Sequence, residues 1–271
     1  DRRRRGGAGP GLQAGAAMPI VGRNGRIVLF AHVPKAGGSS VEAMLERGYG
    51  TLGLYEPRWS NRARGFAAFG VSPQHLSAAD LARVLPEARR DLSFAVVREP
   101  VARICSEFRH HQRAASRRLL CRLGFSFWLE ACLAAAARCP EVFDNHFRTQ
   151  DAMVPDSAEV FRLEDGLDRV AERVADLLGP ADPPAEAEGE AAAGVPHLLK
   201  GENALPLQLT QTDLARIADT YAADYARFGY PAPDMDGVAT RAGPLPRALS
   251  GPLARLAGRL IAFAWRHRFI G

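Results

Sequence analysis

The residues with chemistry to offer lie in two short stretches. In "HVPKAGGSS" an apolar run ends at Lys35, and Ala36, Gly37, Gly38, Ser39 and Ser40 lead into a helical pattern. A strand, a glycine loop and a helix N-terminus together present unpaired backbone N–H groups and the positive end of a helix dipole. The glycines allow close backbone approach, the serines add hydroxyl donors and Lys35 adds a full charge. The ligand such a loop suits is an anion. The mononucleotide P-loop, G-x-x-x-x-G-K-[ST], puts its lysine after the glycines and beside a metal-binding hydroxyl. Here the lysine comes first, and no G-x-G-x-x-G occurs, so neither a Walker ATPase nor a dinucleotide fold is supported. Taken alone, the loop is equally compatible with a tight turn carrying a surface lysine. The second stretch, "VVREPVARICSEF", changes the balance. Arg98 leaves a strand end and Ser106 lies two turns into the next helix, so a guanidinium fork and a hydroxyl can reach one phosphate. Arg103 and Ser106 share a helix face at i, i+3 spacing.

Seven histidines offer a general base. His75, in "SPQHLSAAD", is the preferred one, because it follows an expected strand and precedes a helix, at the carboxyl edge of a sheet. His146, with Asn145 and Arg148 in "DNHFRTQ", is a candidate contact for a second substrate, and equally compatible with a helix-surface cluster. His32 lies inside a strand and reads as structural or as a support for Lys35. His110 and His111 read as the exposed end of a basic helix. Cys105, Cys121, Cys132 and Cys139 form no zinc spacing, so no metal is expected, and reduced thiols are favoured over a Cys132–Cys139 disulfide.

The elements that must position these residues alternate. "RIVLFAHV" (26–33) and "LSFAVV" (92–97) are near-continuous apolar runs, as in parallel strands covered on both faces. "GFAAFGV", ending at Val71, and "AEVFRLED", ending near Leu163, are further strand candidates. Helices are predicted from Ser40 to Arg47, from "SAAD" (77–80) to Leu85, from Pro100 towards Arg118, in "SFWLEACLAAAA", around "FDNHFRTQ", in "LDRVAERVADLL" and over "TQTDLARIADTYAADYARFGY". This order predicts a three-layer α/β domain with a central parallel sheet, whose ligand site lies beyond the carboxyl ends of the strands. Lys35 and Arg98 both fall at such ends.

With both turns in view, the sequence resembles the sulfotransferases that use 3′-phosphoadenosine 5′-phosphosulfate (PAPS). "HVPKAGGSS" is similar to that family's 5′-phosphosulfate loop, in the form carried by its carbohydrate-directed branch. "VVREPVARICSEF" is similar to its 3′-phosphate segment, with the Arg-x7-Ser spacing of Arg98 and Ser106 matched. "DNHFRTQ", "FRLED" and "YAADYARFGY" resemble later landmarks of the branch more weakly. Ala36 departs from the pattern, which commonly has threonine there. The resemblance implies a P-loop-like sulfotransferase fold over residues 20–235 and PAPS as sulfuryl donor, bound by Lys35 to Ser40 with Arg98 and Ser106. It also implies a hydroxyl acceptor, probable class saccharide, with Lys35 and His75 as the catalytic pair. The competing readings are a nucleotide-dependent phosphotransferase, which the missing GK[ST] disfavours, and a non-catalytic PAP-binding module, for which Ala36 is the only sequence support.

The formal net charge is +5, but "DRRRR" carries much of it, and without Asp1–Arg5 the remainder is +2. A nucleic-acid partner is therefore not expected. Residues 1–19, poor in large apolar side chains, read as a disordered tail with Met18 as a candidate start. They lack a secretory apolar core, and no run is long enough to span a membrane, so a cytoplasmic protein is expected. "GPADPPAEAEGEAAAG" begins a flexible excursion over about 179–200. After a Pro/Gly linker from 236, the last helix places Leu253, Leu256, Leu260, Ile261 and Trp265 on one face beside Arg255, Arg259, Arg266 and Arg268. That pattern suits docking on its own domain, or peripheral contact with an anionic membrane surface.

Overall fold

The computed structural model describes residues 17–54, 69–182, 207–238 and 247–267. Strands β1 (Ala17–Arg23), β2 (Arg26–Ala31), β3 (Gly53–Leu54), β4 (Leu92–Val97) and β5 (Glu159–Arg162) form one sheet in the order β3-β1-β2-β4-β5. β2, β4 and β5 are parallel, and β1 and β3 extend the edge antiparallel. The helices are α1 (Gly38–Tyr49), α2 (Ala78–Val84), α3 (Pro100–Arg113), α4 (Ala115–Cys121), α5 (Phe125–Ala136), α6 (Gln150–Met153), α7 (Asp168–Leu178), α8 (Gln211–Thr220), α9 (Ala222–Phe228) and α10 (Arg247–Arg266). The expected α/β sandwich is thus present, with β1 and β3 as an antiparallel addition.

Strand alternation assigns the two faces of the sheet. Val28 and Phe30 of β2 and Phe94 and Val96 of β4 pack with Val41 and Leu45 of α1 and with Val170 and Val174 of α7. Leu29, Ala31, Ala95 and Val97 point the other way, onto Leu76, Leu81, Met153 and Phe228. All six β4 residues are buried, as a strand covered on both faces requires. A third apolar cluster is helical, built around Trp128 from α3, α5, α8 and α10.

Several local expectations are corrected. β1 begins at Ala17, inside the stretch read as a tail. The missed signal is Asn24-Gly25, whose φ of 54° and 76° make a tight hairpin turn to β2. Of "GFAAFGV", Phe69–Val71 form a turn and bend rather than a strand, and the remainder lies outside the described residues, as does most of the 179–200 excursion. The helix expected around "FDNHFRTQ" is a series of turns, and the one over "TQTDLARIADTYAADYARFGY" breaks at Tyr221 into α8 and α9.

In α10 the predicted apolar face divides. Ala254, Ala262 and Trp265 are buried, while Leu253, Leu256, Leu260 and Phe263 are 45–62% exposed. The division follows from Gly258, where an added Cβ would meet the Ala131 carbonyl at 2.6 Å and Ala134 Cβ at 2.7 Å. The helix therefore approaches α5 through its small residues, and its leucines are left outside. Arg255 ties it to Glu130 of α5 at 2.9 Å. The four cysteines are buried free thiols.

Candidate active site

The first turn has the geometry of an anion cradle. Lys35 and Gly37 are left-handed, with φ of 66° and 89°, which folds the loop back under the start of α1. Both glycines are required. A Cβ on Gly37 would lie 2.7 Å from Leu163 Cδ1, and one on Gly38 would lie 1.9 Å from His32 Nε2. The first turn of α1 holds no acidic residue and Gly37 gives no side-chain cap, so its leading amides face outward without intrahelical partners. Ser39 is exposed, and Ala36 is buried in the apolar cluster beneath the loop.

The second turn meets the first. Arg98 Nη1 donates to the Lys35 carbonyl at 3.3 Å. The backbone of Arg98 is clamped by Gln150, whose Oε1 accepts from its N–H at 2.9 Å and whose Nε2 donates to its carbonyl at 2.7 Å. Asp224 in turn accepts from the backbone N–H groups of Gln150 and Asp151. The N-terminus of α3 differs from that of α1, because Glu99 accepts from the N–H groups of Val101 and Ala102 and neutralises it. Arg98 is therefore the cationic group that this turn presents.

Ser106 is half-buried on α3, whereas Arg103 is fully buried and serves the scaffold. It donates to the carbonyls of His146 at 3.1 Å and Arg148 at 2.9 Å. Burial lowers the pKa of both Lys35 and Arg98. Glu107 opposes the shift at Lys35, and Arg113 and Arg98 add to it. Among the described residues neither Lys35 nor Arg98 has a carboxylate within ion-pair distance. Two partly buried cations on touching loops thus stand without an ion-pair partner among the described residues, with acidic groups acting on them only from farther away.

Beside them runs a row of imidazoles. Ring centroids are 4.7 Å apart for His32 and His75, 5.0 Å for His75 and His146, and 5.6 Å for His146 and His110. Three of these rings give Nδ1 to a carboxylate: His32 to Glu42 at 2.7 Å, His75 to Asp144 at 2.6 Å and His146 to Glu107 at 2.7 Å. Since an ionised carboxylate only accepts, Nδ1 carries the proton in each and Nε2 is the basic nitrogen. In His32 that nitrogen is pressed against Gly38, so its role is structural.

His75 stands on a 3-10 turn (Pro73–His75) preceding α2, whose N-cap is Ser77 as the sequence predicts. For Asp144, burial acts to raise the pKa, but the charge and hydrogen bond of His75, with help from His146 and the Ser72 amide, hold it down at about 2. For His146, burial dominates over Glu107 and lowers the pKa to about 4. His110 falls to about 3, chiefly by burial. His110 and His111, expected to be exposed, are half-buried and fully buried respectively.

Asp144 is held in an improbable backbone. Phe143, Asp144 and Asn145 have φ of 54°, 63° and 61°, three successive left-handed residues without a glycine. Arg103 holds the carbonyls that follow, Tyr221 Oη donates to the Phe147 carbonyl, and Asn145 Nδ2 donates to the His75 carbonyl at 2.7 Å. Asn145 also accepts from Arg148 Nε and is 1% exposed, so it supports the loop and does not present an amide to a substrate. This corrects its expected role. His146 and Arg148 retain some exposure.

His75, Asp144 and His146 place potential ligand atoms within 4.8 Å of one another, a grouping that also suits a metal ion. The Asp144 oxygens accept from Ser72 N–H and His75, and Glu107 holds His146 Nδ1. Nε2 of both rings is left open, an arrangement that serves proton transfer and metal ligation alike.

A model of the sulfotransferase family matches residues 24–231, a span that includes both turns, the histidine row and α9. The chain belongs to the sulfotransferase family. It is accordingly an enzyme that transfers sulfate, and the family implies a sulfate donor and a hydroxyl-bearing acceptor. Searches of curated proteins and of solved structures find no significant match. Within this sulfotransferase the resemblance landmarks read weakly in sequence are structural clamps. Arg162 of "FRLED" donates to the Phe228 carbonyl, Tyr225 donates to Glu99, and Asp224 fixes Gln150. Sequence reasoning missed Glu42, Glu107 and Asp144, the carboxylates behind the imidazoles. For Asp144 one signal was available, since Asp-Asn pairs tolerate left-handed backbone far better than most residues.

Proposed function

We propose that the chain moves the sulfuryl group of PAPS to a hydroxyl of a saccharide or glycan acceptor. The observation that carries this is the pair of cations without an ion-pair partner, Lys35 and Arg98, on loops joined by a direct hydrogen bond. Two cations left without ion-paired carboxylates suit a donor bearing two separate anionic groups. Lys35 and the amides from Gly37 to Ser39 take the phosphosulfate, the Ser40 amide being bonded to the Gly37 carbonyl, and Arg98 with Ser106 takes the 3′-phosphate. In the transfer, the acceptor oxygen bonds to sulfur as the bond from sulfur to the 5′-phosphate oxygen breaks. The hydroxyl proton passes to Nε2 of His75, whose ring Asp144 orients through Nδ1, and Lys35 stabilises the charge that returns to the phosphate. His146 and Arg148 contact the acceptor. A catalytic metal has no assigned part in these steps.

The same reading places the enzyme in the cytoplasm, where buried free thiols persist, with α10 resting on an anionic membrane face. Helix α10 has four arginines and no acidic residue, and its outer stripe of Leu253, Leu256, Leu260 and Phe263 is exposed.

Labelled sulfate transfer from PAPS to a panel of glycans and small hydroxyl compounds tests the activity. Lys35→Ala and Arg98→Ala are expected to abolish transfer, and His75→Ala to cripple it while PAP still binds. Calorimetry that finds ADP bound as tightly as PAP would refute the donor assignment, and unimpaired turnover by His75→Ala would remove it as the base.

A further inference from the structure

Behind the acceptor-facing imidazole lies a chain of groups that reaches into the apolar core. Glu107, on α3, is fully buried. One of its carboxylate oxygens meets His146 Nδ1 at 2.7 Å and the other lies 2.8 Å from His111 Nε2. His111 Nδ1 in turn accepts the indole N–H of Trp128 at 2.9 Å, inside the helical cluster. The indole nitrogen can only donate, so Nδ1 of His111 has no proton and Nε2 carries it towards Glu107. Trp128 donates to His111 Nδ1, His146 donates to one oxygen of Glu107, and His111 Nε2 lies 2.8 Å from the other oxygen without hydrogen-bond geometry.

We propose that Glu107 is a positioning residue of this active site, fixing through its contact with His146 Nδ1 which ring nitrogen meets the acceptor. The inference rests on the sulfuryl-transfer reading for its catalytic meaning, but its tautomer claim concerns the free protein alone.

The charges facing each end are few. Lys35 faces Glu107, Arg113 and Arg98, of which only Glu107 favours its charged form. His146 faces Glu107, His75 and Asp144, with His110 beside it. Burial keeps its ring neutral, and Glu107 leaves Nε2 as an acceptor that receives a hydrogen bond from an acceptor-sugar hydroxyl without competing for the proton that goes to His75.

Two experiments test this. In the free wild-type protein, 15N-detected NMR of labelled histidine is expected to show His146 protonated at Nδ1 and neutral down to about pH 4. A proton on Nε2, or a charged His146 ring at neutral pH, overturns the proposal without any reference to activity. In Glu107→Gln, checked for folding by circular dichroism, the same spectra are expected to show that His146 is no longer held as a single Nδ1–H tautomer, because the amide cannot accept from both imidazoles. An unchanged His146 tautomer in that variant overturns the proposal. If wild type transfers no sulfate, the sulfuryl-transfer reading falls and the NMR outcome still decides the tautomer claim. If Glu107→Gln does not fold, the NMR measurement on wild type is decisive alone.

Discussion

Replacing Asp144 with asparagine tests the dyad at its most informative atom. Asp144 accepts from the Ser72 amide with one oxygen and from His75 Nδ1–H, at 2.6 Å, with the other. Asparagine keeps one oxygen for Ser72 but turns an NH2 group towards His75. Two donors cannot face each other, so the imidazole proton moves to Nε2 and the base loses its lone pair. The expected loss in kcat is about 10²–10⁴-fold, the range a positioned general base supplies.

A stability change accompanies it. The Asp144 carboxyl stands at about 2 against an ordinary 3.8, which at ~1.36 kcal/mol per unit corresponds to about 2 kcal/mol. Because the folded-state value is depressed, this stabilisation is complete above the ordinary value and is lost as pH falls through about 2. Asp144→Asn should therefore lower the unfolding free energy by about 2 kcal/mol at pH 7, measured by urea titration, and should lack the corresponding part of the wild-type decline in acid. A variant that turns over within threefold of wild type, with the same acid dependence, would refute the assignment of Asp144 and with it the tautomer of His75.

Gly38→Ala places a methyl carbon 1.9 Å from His32 Nε2, in a ring pinned by Glu42 and stacked on Phe30 at 5.4 Å. Separation of the buried His32–Glu42 pair costs about 3–5 kcal/mol, visible as a lower melting temperature that His32→Ala in the same chain partly restores; a single variant as stable as wild type would contradict the packing. For α10, co-sedimentation is expected with phosphatidylglycerol vesicles but not with phosphatidylcholine alone, and Leu256→Glu with Leu260→Glu should abolish it, since both side chains are more than half exposed and their loss leaves the core intact. Light scattering that shows a dimer through this stripe, with no vesicle binding, would replace the membrane by a second copy.

The geometry of the Lys35 loop was legible because its signal is local. Lys35, Gly37 and Gly38 lie within four positions, and the strand before them is apolar enough to place the loop at a sheet edge. The meeting of Arg98 with Lys35 was legible for the same reason, since two parallel strands in neighbouring positions, β2 and β4, must end on the same side. His75 was placed correctly at that edge, although the strand thought to precede it is a turn where it is described. The edge position came instead from the 3-10 turn and the N-cap of α2, both of which the short motif "SPQHLSAAD" encodes.

The carboxylates behind His75 and His146 left no such trace, because each is joined to that histidine only by the fold. Asp144 is 69 positions from His75 and Glu107 is 39 from His146. Glu107 also sits mid-helix, where a glutamate ordinarily reads as solvated surface, and only the arrival of His111 and His146 on either side makes its burial tolerable. The left-handed run at Phe143–Asn145 makes the same point from the backbone. Each non-glycine residue in that region costs about 1 kcal/mol or more, and no local interaction of a helix or sheet compensates for it. The compensation comes from Arg103 and Tyr221, in separate parts of the chain, and from the turn's own Asn145 reaching the His75 carbonyl, while the turn in return delivers Asp144 to His75 and His146 to Glu107. A stretch whose own preference is helical is thus held in a strained form, and that form is what brings two carboxylate-oriented imidazoles beside the Lys35 loop.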